Sequence, residues 1–485
     1  MKGGCIVTAC MSGMLLSASA AYAADEAALQ KQMRDLGRRM SALQAELDAL
    51  KSQNTSLQNL QKAQQTELRE TQAKQRDRMD ALTAVPPDAT VVTKGDLPNS
   101  FKIPGTNTSV KIGGYARLDV IDDAAGGGVG GTATVFSAIP LKGSVQSERQ
   151  GQVWLTARQS RINVETSTPT DWGRLRTFVE GDFYGAGGTE TTTNSAGFRL
   201  RHAYGELGPV LGGQTWTTFV DPASLPETID FGGPVGVYNS LRQAQLRYTT
   251  QLGGGELALA IENPEADFFG ASQQTYVAGG NIVPPNFIDK TPDVIGRYIV
   301  IGSWGRLSTA AVVRRMTVNN KGQAALNGYT GESSTMAGGV GMSAKIYTFG
   351  KDAVTLSGAV GPGIGRYVLG PGGALNNAGV IKNGSLEAVN TWGINIGYQV
   401  WWTDTLRSNI AYGHAKVNTP RPYVPASVID QMDSLHANLI WQPLPRWFAG
   451  FEYIYGHVKN GAVATPTLSN KGDAHRLQFA VQYGF

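Results

Sequence analysis

Arg174 and Arg176, and again Arg199 and Arg201, stand two residues apart. In an extended strand that spacing puts both guanidinium groups of a pair on one face. Leu175 and Thr177 alternate with the first pair, Phe198 and Leu200 with the second. Arg117, Arg161 and Arg247 follow the same logic singly, whereas the phase of Arg158 and Arg242 conflicts with neighbouring apolar residues. A guanidinium is a planar fork that can grip a carboxylate bidentately, where lysine acts as a point charge. The chemistry on offer is recognition of small organic anions. Asp119, Glu165, Glu180 and Asp182 offer an alternative use for the same arginines, as partners that stabilise a wall. For any one arginine both readings stand; for the set, an anion ladder is the expectation.

A second group lies between Phe219 and Tyr238. Pro222, Pro226, Pro234 and Gly232-Gly233 make this stretch neither helix nor regular strand. Trp216 precedes it, and it carries Asp221, Glu227 and Asp230. Acidic groups facing an arginine wall across a water-filled space would set up a transverse field that orients charged solutes. That requires the loop to fold inward; the alternative is a surface loop. Other chemistry finds no support. The five histidines show no metal-ligand spacing, and Gly126–Gly131 lacks the phosphate-binding lysine and opens no helix. No nucleophile and base pair up, so no catalytic residue, metal or cofactor is expected.

The elements that must position these residues have a period of two. In the last strand Leu477, Phe479, Val481, Tyr483 and Phe485 alternate with Arg476, Gln478, Ala480, Gln482 and Gly484. Asn390 to Trp402 repeats the scheme, with Trp392, Ile394, Ile396, Tyr398, Val400 and Trp402 on one face. Further runs occur at 110–120, 175–183, 257–261, 406–412 and 447–455. A soluble sandwich would also alternate. Aromatic residues near the strand ends and an export signal favour a transmembrane barrel, whose outward face is apolar and whose inward face is polar. From Phe101 on, roughly ten residues per strand plus unequal connections fit about 16 antiparallel strands. Arginine or lysine facing midplane lipid would cost about 2–4 kcal/mol, so the arginines are expected inside.

Before the barrel the period is seven. Leu29, Leu36, Leu43, Leu50 and Leu57 hold one heptad position; Met33, Met40, Leu47 and Leu68 belong to the other, with Asn54 interrupting it. Such a seam supercoils helices, and a buried amide fixes their register. The alternative is an amphipathic helix packed on its own barrel. Pro86-Pro87 ends the helix. Residues 1–23 read as a signal peptide with Ala21-Tyr22-Ala23 at the cleavage site. The chain then divides into a coiled coil over 24–85, a linker over 86–100 and an all-β transmembrane barrel over 101–485. Both cysteines, Cys5 and Cys10, fall inside the signal, which excludes disulfides from the mature chain. Charged residues are 16% of the chain and the net charge is +4, with no compact basic segment, so nucleic acid is not an expected partner.

Several stretches carry a family resemblance. They are the opening run Phe101 to Tyr115, Ala157-Arg158-Gln159-Ser160-Arg161, Gly213 to Phe219 leading into Asp221-Pro222 and Asp230-Phe231, and Arg242 to Tyr248. Together they make the chain resemble the DcaP-like family of trimeric outer-membrane porins with an N-terminal periplasmic coiled coil. The resemblance implies a homotrimer of barrels embedded in outer-membrane lipid, taking up carboxylate-bearing solutes, including dicarboxylates and aromatic acids. It places the coil in the periplasm, where peptidoglycan is a further expected partner. A sugar-type porin, or a tether between outer membrane and cell wall, is the alternative. Residues 270–292 and 361–387 match nothing in that family pattern.

Overall fold

The structure is a computed structural model. It describes the chain except residues 1–6, 84–91, 127–130, 186–187, 190, 238–239, 266, 269–274, 277–281, 284–287, 289, 320, 322–329, 369–376 and 422. In the first helix, side chains are described for 31 and 33–76 only. Two compact units result, Met1–Ala89 and Thr90–Phe485.

The first unit is one α-helix, Val7–Thr83. Its seam is uncovered in the single chain. Leu36, Leu43, Leu47, Leu50 and Leu57 are each more than half exposed.

The second unit is a closed antiparallel barrel of 16 strands, as the alternation predicts. In chain order they are β1 (Ser109–Ala125), β2 in two segments (Gln152–Thr156 and Arg161–Thr170), β3 (Gly173–Gly185), β4 (Gly197–Leu207), β5 (Val210–Trp216), β6 (Arg242–Leu252), β7 (Gly255–Glu262) and β8 (Asp293–Gly302). The second half comprises β9 (Gly305–Asn319), β10 (Glu332–Tyr347), β11 (Ala353–Pro362), β12 (Asn390–Trp401), β13 (Leu406–Val417), β14 (Ile429–Leu444), β15 (Trp447–Asn460) and β16 (Lys471–Gly484). Pairing of Tyr115 with Gly484 through Asp123 with Arg476 joins β1 to β16 and closes the sheet, leaving no free edge. Ala157–Ser160, part of the family-like second strand, is the break between the two segments of β2, turned by a Ser160 N–H bond to the Ala157 carbonyl. Residues 93–102 pack on the base of β1: Asp96 N–H donates to the Ser109 hydroxyl and Lys102 pairs with Asp96.

Connections at one end of the barrel are turns of two to five residues, those at the other are longer. That asymmetry sets periplasmic turns against extracellular loops in outer-membrane barrels. Outside, Ile112, Leu118, Leu246, Leu259, Ile396 and Phe451 are exposed; inside, the alternate positions are buried. Trp402, Trp441, Trp447 and Tyr483 ring the short-turn end, the last three in edge contact. Tyr412, Tyr453 and Tyr455 mark the other end.

Described parts of several long loops fold back into the barrel. Phe136 and Ile139 from the first, Phe219, Val220, Val235 and Val237 from the third, and Ile364 and Tyr367 from the sixth share one apolar core with the inward faces of β8–β16. Arg314 binds the sixth and fourth loops to the wall. Its Nε donates to Asp293 at 3.1 Å, its Nη1 to the Gly363 carbonyl at 2.8 Å, and its Nη2 to the Glu265 carbonyl at 2.6 Å. The Tyr367 phenol, which burial pushes up and so keeps protonated, donates to the same Asp293. Both members of the Arg314–Asp293 pair are about 1% exposed. Asp293→Ala would strand a buried guanidinium, and a loss of about 3–5 kcal/mol is expected. Denaturant unfolding in detergent checks this, with Arg314→Leu/Asp293→Leu expected to recover much of the loss.

Candidate functional site

The arginines read from the sequence converge on one wall, built by β1–β4 and β6. Both pairs obey the strand period, and a bulge interrupts β4 just after the second. Glu180 faces His202 while Gly181 faces Leu200, so Arg201 is the extra residue of a bulge on β4. Arg199 and Arg201 share one side as their spacing requires, and both reach Asp182; the bulge shifts the phase after them, so that His202 is buried beside Arg201. Arg199 clasps it at 3.0 and 2.8 Å, and Arg201 reaches it at 3.0 Å and Glu180 at 2.8 Å. Arg176 bridges Glu165 at 2.7 Å and Glu206 at 2.9 Å. Arg117 grips Asp119 and donates to the Ile229 carbonyl at 2.6 Å.

For these four arginines the stabilising-partner reading describes the contacts. Three others are less committed. Arg161 stands 3.8 Å from Glu180 and its Nε has no hydrogen-bond partner. Arg174 donates to the Ser167 hydroxyl at 2.9 Å. The Nε of Arg247 is buried without a partner. Among the described residues neither Arg174 nor Arg247 has an ion pair.

Aromatic rings lie beneath most of this cationic wall, a feature the sequence reading missed because the rings come from different strands and from the loop. Arg161 lies over Tyr115 at 5.3 Å, Arg176 near Phe178 and Tyr204 at 5.9 and 5.8 Å, and Arg199 over Tyr184 and Phe231 at 5.5 and 5.4 Å. Tyr184 and Phe231 stack at 4.4 Å. Trp216 takes Arg201 at 5.8 Å and Arg242 at 5.2 Å. Such contacts contribute about 0.5–2 kcal/mol each. They also hold the guanidinium planes in fixed orientations. Solvent reaches this wall: Arg161, Arg176 and Arg199 are 23%, 34% and 32% exposed, against 0% for Arg476 on the filled side.

The loop from Phe219 folds into the barrel and is pinned to the opposite wall. Asp221 is held by Arg306 at 2.5 and 3.0 Å, and Glu227 by Arg407 at 2.6 and 2.8 Å. The N–H groups of Ile229 and Asp230 point at Glu452, at 2.5 and 3.4 Å, and Glu452 also takes His436 at 2.8 Å and Asn438 at 3.0 Å. Val235 N–H donates to Ser434 and Val237 N–H to Asn395. The far wall makes room with glycine. A Cβ at Gly413 would collide with the Val235 carbonyl, and one at Gly393 would meet Gly236. Tyr238 lies outside the described residues.

This corrects the expected transverse field. Asp221 and Glu227 are neutralised by Arg306 and Arg407, and do not present free charge to the arginine wall. Asp230 is withdrawn into a pocket, where Thr134 donates at 2.5 Å and the N–H groups of Gly232 and Gly233 at 2.9 Å. Burial raises the Asp230 carboxyl above its usual range, with His436 opposing. A carboxyl raised on folding binds its proton more tightly in the folded state, so its contribution to stability is full in acid and falls as pH rises through the raised value. Arg306, Arg407 and Glu452 were legible only as inward phases in their strands; nothing local named their partners.

The profile described as "Porin subfamily" matches residues 99–476. The chain is 26% identical to porin Omp2b of Brucella suis over 226 residues, 43% of this chain and 52% of that protein. It is likewise 26% identical to porin Omp2b of Brucella canis over 220 residues, with the same coverage. It thus spans about half the length of the curated relatives it matches. Among solved structures it is similar to the outer membrane channel DcaP of Acinetobacter baumannii, with TM-score 0.63 and 19% identity over 80% of this chain and 100% of that one. That likeness is one of fold.

Proposed function

This chain belongs to the Porin subfamily, and from that premise we propose that it is a passive outer-membrane channel selective for small organic anions such as dicarboxylates and aromatic carboxylates. The observation that carries the reading is the unequal division of the interior. The inner loop is fastened across β8–β15, while the β2–β6 side keeps solvent-exposed guanidinium groups over aromatic rings. From β2 to β6 the inward side holds Arg161, Arg174, Arg176, Arg199, Arg201 and Arg247, with Arg242 over Trp216 beside Arg201, against the carboxylates Glu165, Glu180, Asp182 and Glu206. An excess of fixed positive charge along a water-filled lumen favours anions. Paired guanidinium and ring surfaces suit an aromatic carboxylate, whose charge and ring each meet a counterpart.

The working unit is a homotrimer. Helices from three chains would cover one another's exposed seams in the periplasm, within reach of peptidoglycan. The test is the reversal potential of the purified protein in a planar bilayer under a salt gradient. A chloride-favouring potential, with conductance steps blocked by added dicarboxylate, is expected. A cation-favouring potential would refute anion selectivity, and absence of conductance would refute the channel.

A further inference from the structure

We propose that the outward face of β13–β16, at its long-loop end, binds the phosphate groups of an anionic lipid headgroup in the outer leaflet; the inference rests on the outer-membrane placement proposed above. The face is built in rows, because residues directly opposite one another across antiparallel strands share a side. Lys416 faces Gln431, Gln431 faces Lys459, and Lys459 faces Lys471. Three lysines and one glutamine therefore form a single row across four strands. Like charges placed directly opposite are destabilising. Among the described residues none of the three lysines has an ion pair.

The carboxylates nearby are engaged elsewhere. In the row beneath, His414 faces Asp433, which faces His457, which faces Asp473. His414 and Tyr412 hold Asp433 at 2.7 and 2.6 Å, and His457 and Tyr455 hold Asp473 at 2.7 and 2.6 Å. Gln431 also donates to Asp433. Those carboxylates spend their hydrogen-bond capacity on tyrosine and histidine within their own row, and the three ammonium groups, which outnumber them, are left without a direct partner among the described residues.

Depth decides what answers it. Two residues below the acidic row come Tyr412 and Tyr455, and below them the exposed apolar belt of Ile410, Leu439, Phe451 and Phe479. Aromatic girdles sit at the boundary between hydrocarbon and headgroups. Two rows beyond the tyrosines, about 14 Å along strands tilted about 40°, the lysines stand just outside the hydrocarbon, where their long side chains reach back toward headgroup phosphates. Separate ammonium groups in a line suit a headgroup carrying more than one phosphate, each met by a rotatable point charge.

The experiment uses the full-length protein reconstituted in phosphatidylcholine vesicles. Retained bisphosphorylated lipid A, monophosphorylated lipid A and inorganic phosphate are measured separately. Wild type is expected to retain the bisphosphorylated lipid most tightly, with inorganic phosphate a weak competitor. Lys416→Gln/Lys459→Gln/Lys471→Gln should weaken retention about fivefold per lysine, on the order of 100-fold in all. Lys351→Gln, in a short turn at the other end, should change nothing. Conductance preserved in the triple variant shows that the barrel is folded and that the channel reading stands. Equal retention by wild type and triple variant overturns the lipid site while leaving that reading intact. Full competition by inorganic phosphate would make the row a free-anion site and overturn the headgroup. A triple variant that falls apart into monomers with lipid retention unchanged would give the face to a second copy. A wild-type protein that neither inserts nor conducts overturns both proposals.

Discussion

Deletion of Asp221–Gly236 raises conductance and, at the same time, shifts the channel further toward anions. The first effect follows from removing a segment that crosses the interior and is fastened to the far wall at Arg306, Arg407, Glu452, Ser434 and Asn395. The second follows from the charges left behind. Three carboxylates go, and Arg306 and Arg407 lose the partners that neutralise them. Two unit charges about 10 Å apart in water interact by roughly 0.4 kcal/mol, so each charge gained or uncovered changes the local anion concentration about twofold. Screening makes the shift larger at low salt. A loop lying on the surface, or one whose acids stood free in the lumen, would behave differently. Unchanged conductance would sink the first part, and a shift toward cations the second. Glu452→Leu gives a milder test of the same latch, with noisier open-channel current expected because the tip of the loop loses its acceptor.

Reversing Arg161, Arg174 and Arg247 together to glutamate converts an anion-favouring channel into a cation-favouring one. These three are chosen because their guanidinium groups are the least neutralised. Arg161 is 3.8 Å from its acid, Arg174 has only a hydroxyl, and Arg247 has an unpartnered Nε. Each reversal swings the lumen by two charges, about 0.8 kcal/mol at ~10 Å in water, or roughly fourfold in local anion concentration. Three reversals compound to well over tenfold, which changes the sign of the reversal potential. Arg199→Glu and Arg201→Glu should act otherwise. Their shared Asp182 is fully buried, and loss of its partners destabilises the barrel by about 3–5 kcal/mol. Lowered thermal stability in detergent, measured beside the reversal potential, separates the two classes. A triple variant that stays anion-favouring would mean that the selectivity lies in other residues.

Much of the architecture was readable because its code is short-ranged. The alternation in 390–402 and 476–485 lies in single strands, and it placed Arg174, Arg176 and Arg199 on the inward side without knowledge of any partner. The proline- and glycine-rich stretch after Phe219 could be recognised as irregular from its own residues. Other features were ambiguous for the same reason. The bulge that brings His202 inward directly after Arg201 is not announced by alternation, and Ala157–Ser160, continuous with a strand in sequence, is where β2 breaks.

The sequence by itself determined the period-two barrel, the period-seven helix and the face on which most charged side chains stand, since each depends on neighbours within a few residues. The tertiary structure decided which of those charges remain uncommitted. Asp221 meets Arg306 across 85 residues, Glu227 meets Arg407 across 180, and Arg476 meets Asp123 across 353. Those encounters exist only because the barrel closes and the long loops fold into it. The register of the β13–β16 hairpins also brings Lys416, Lys459 and Lys471 into one row, which no local pattern predicts. A side chain's direction is a property of the strand; its net charge toward solvent is a property of everything the fold brings within reach.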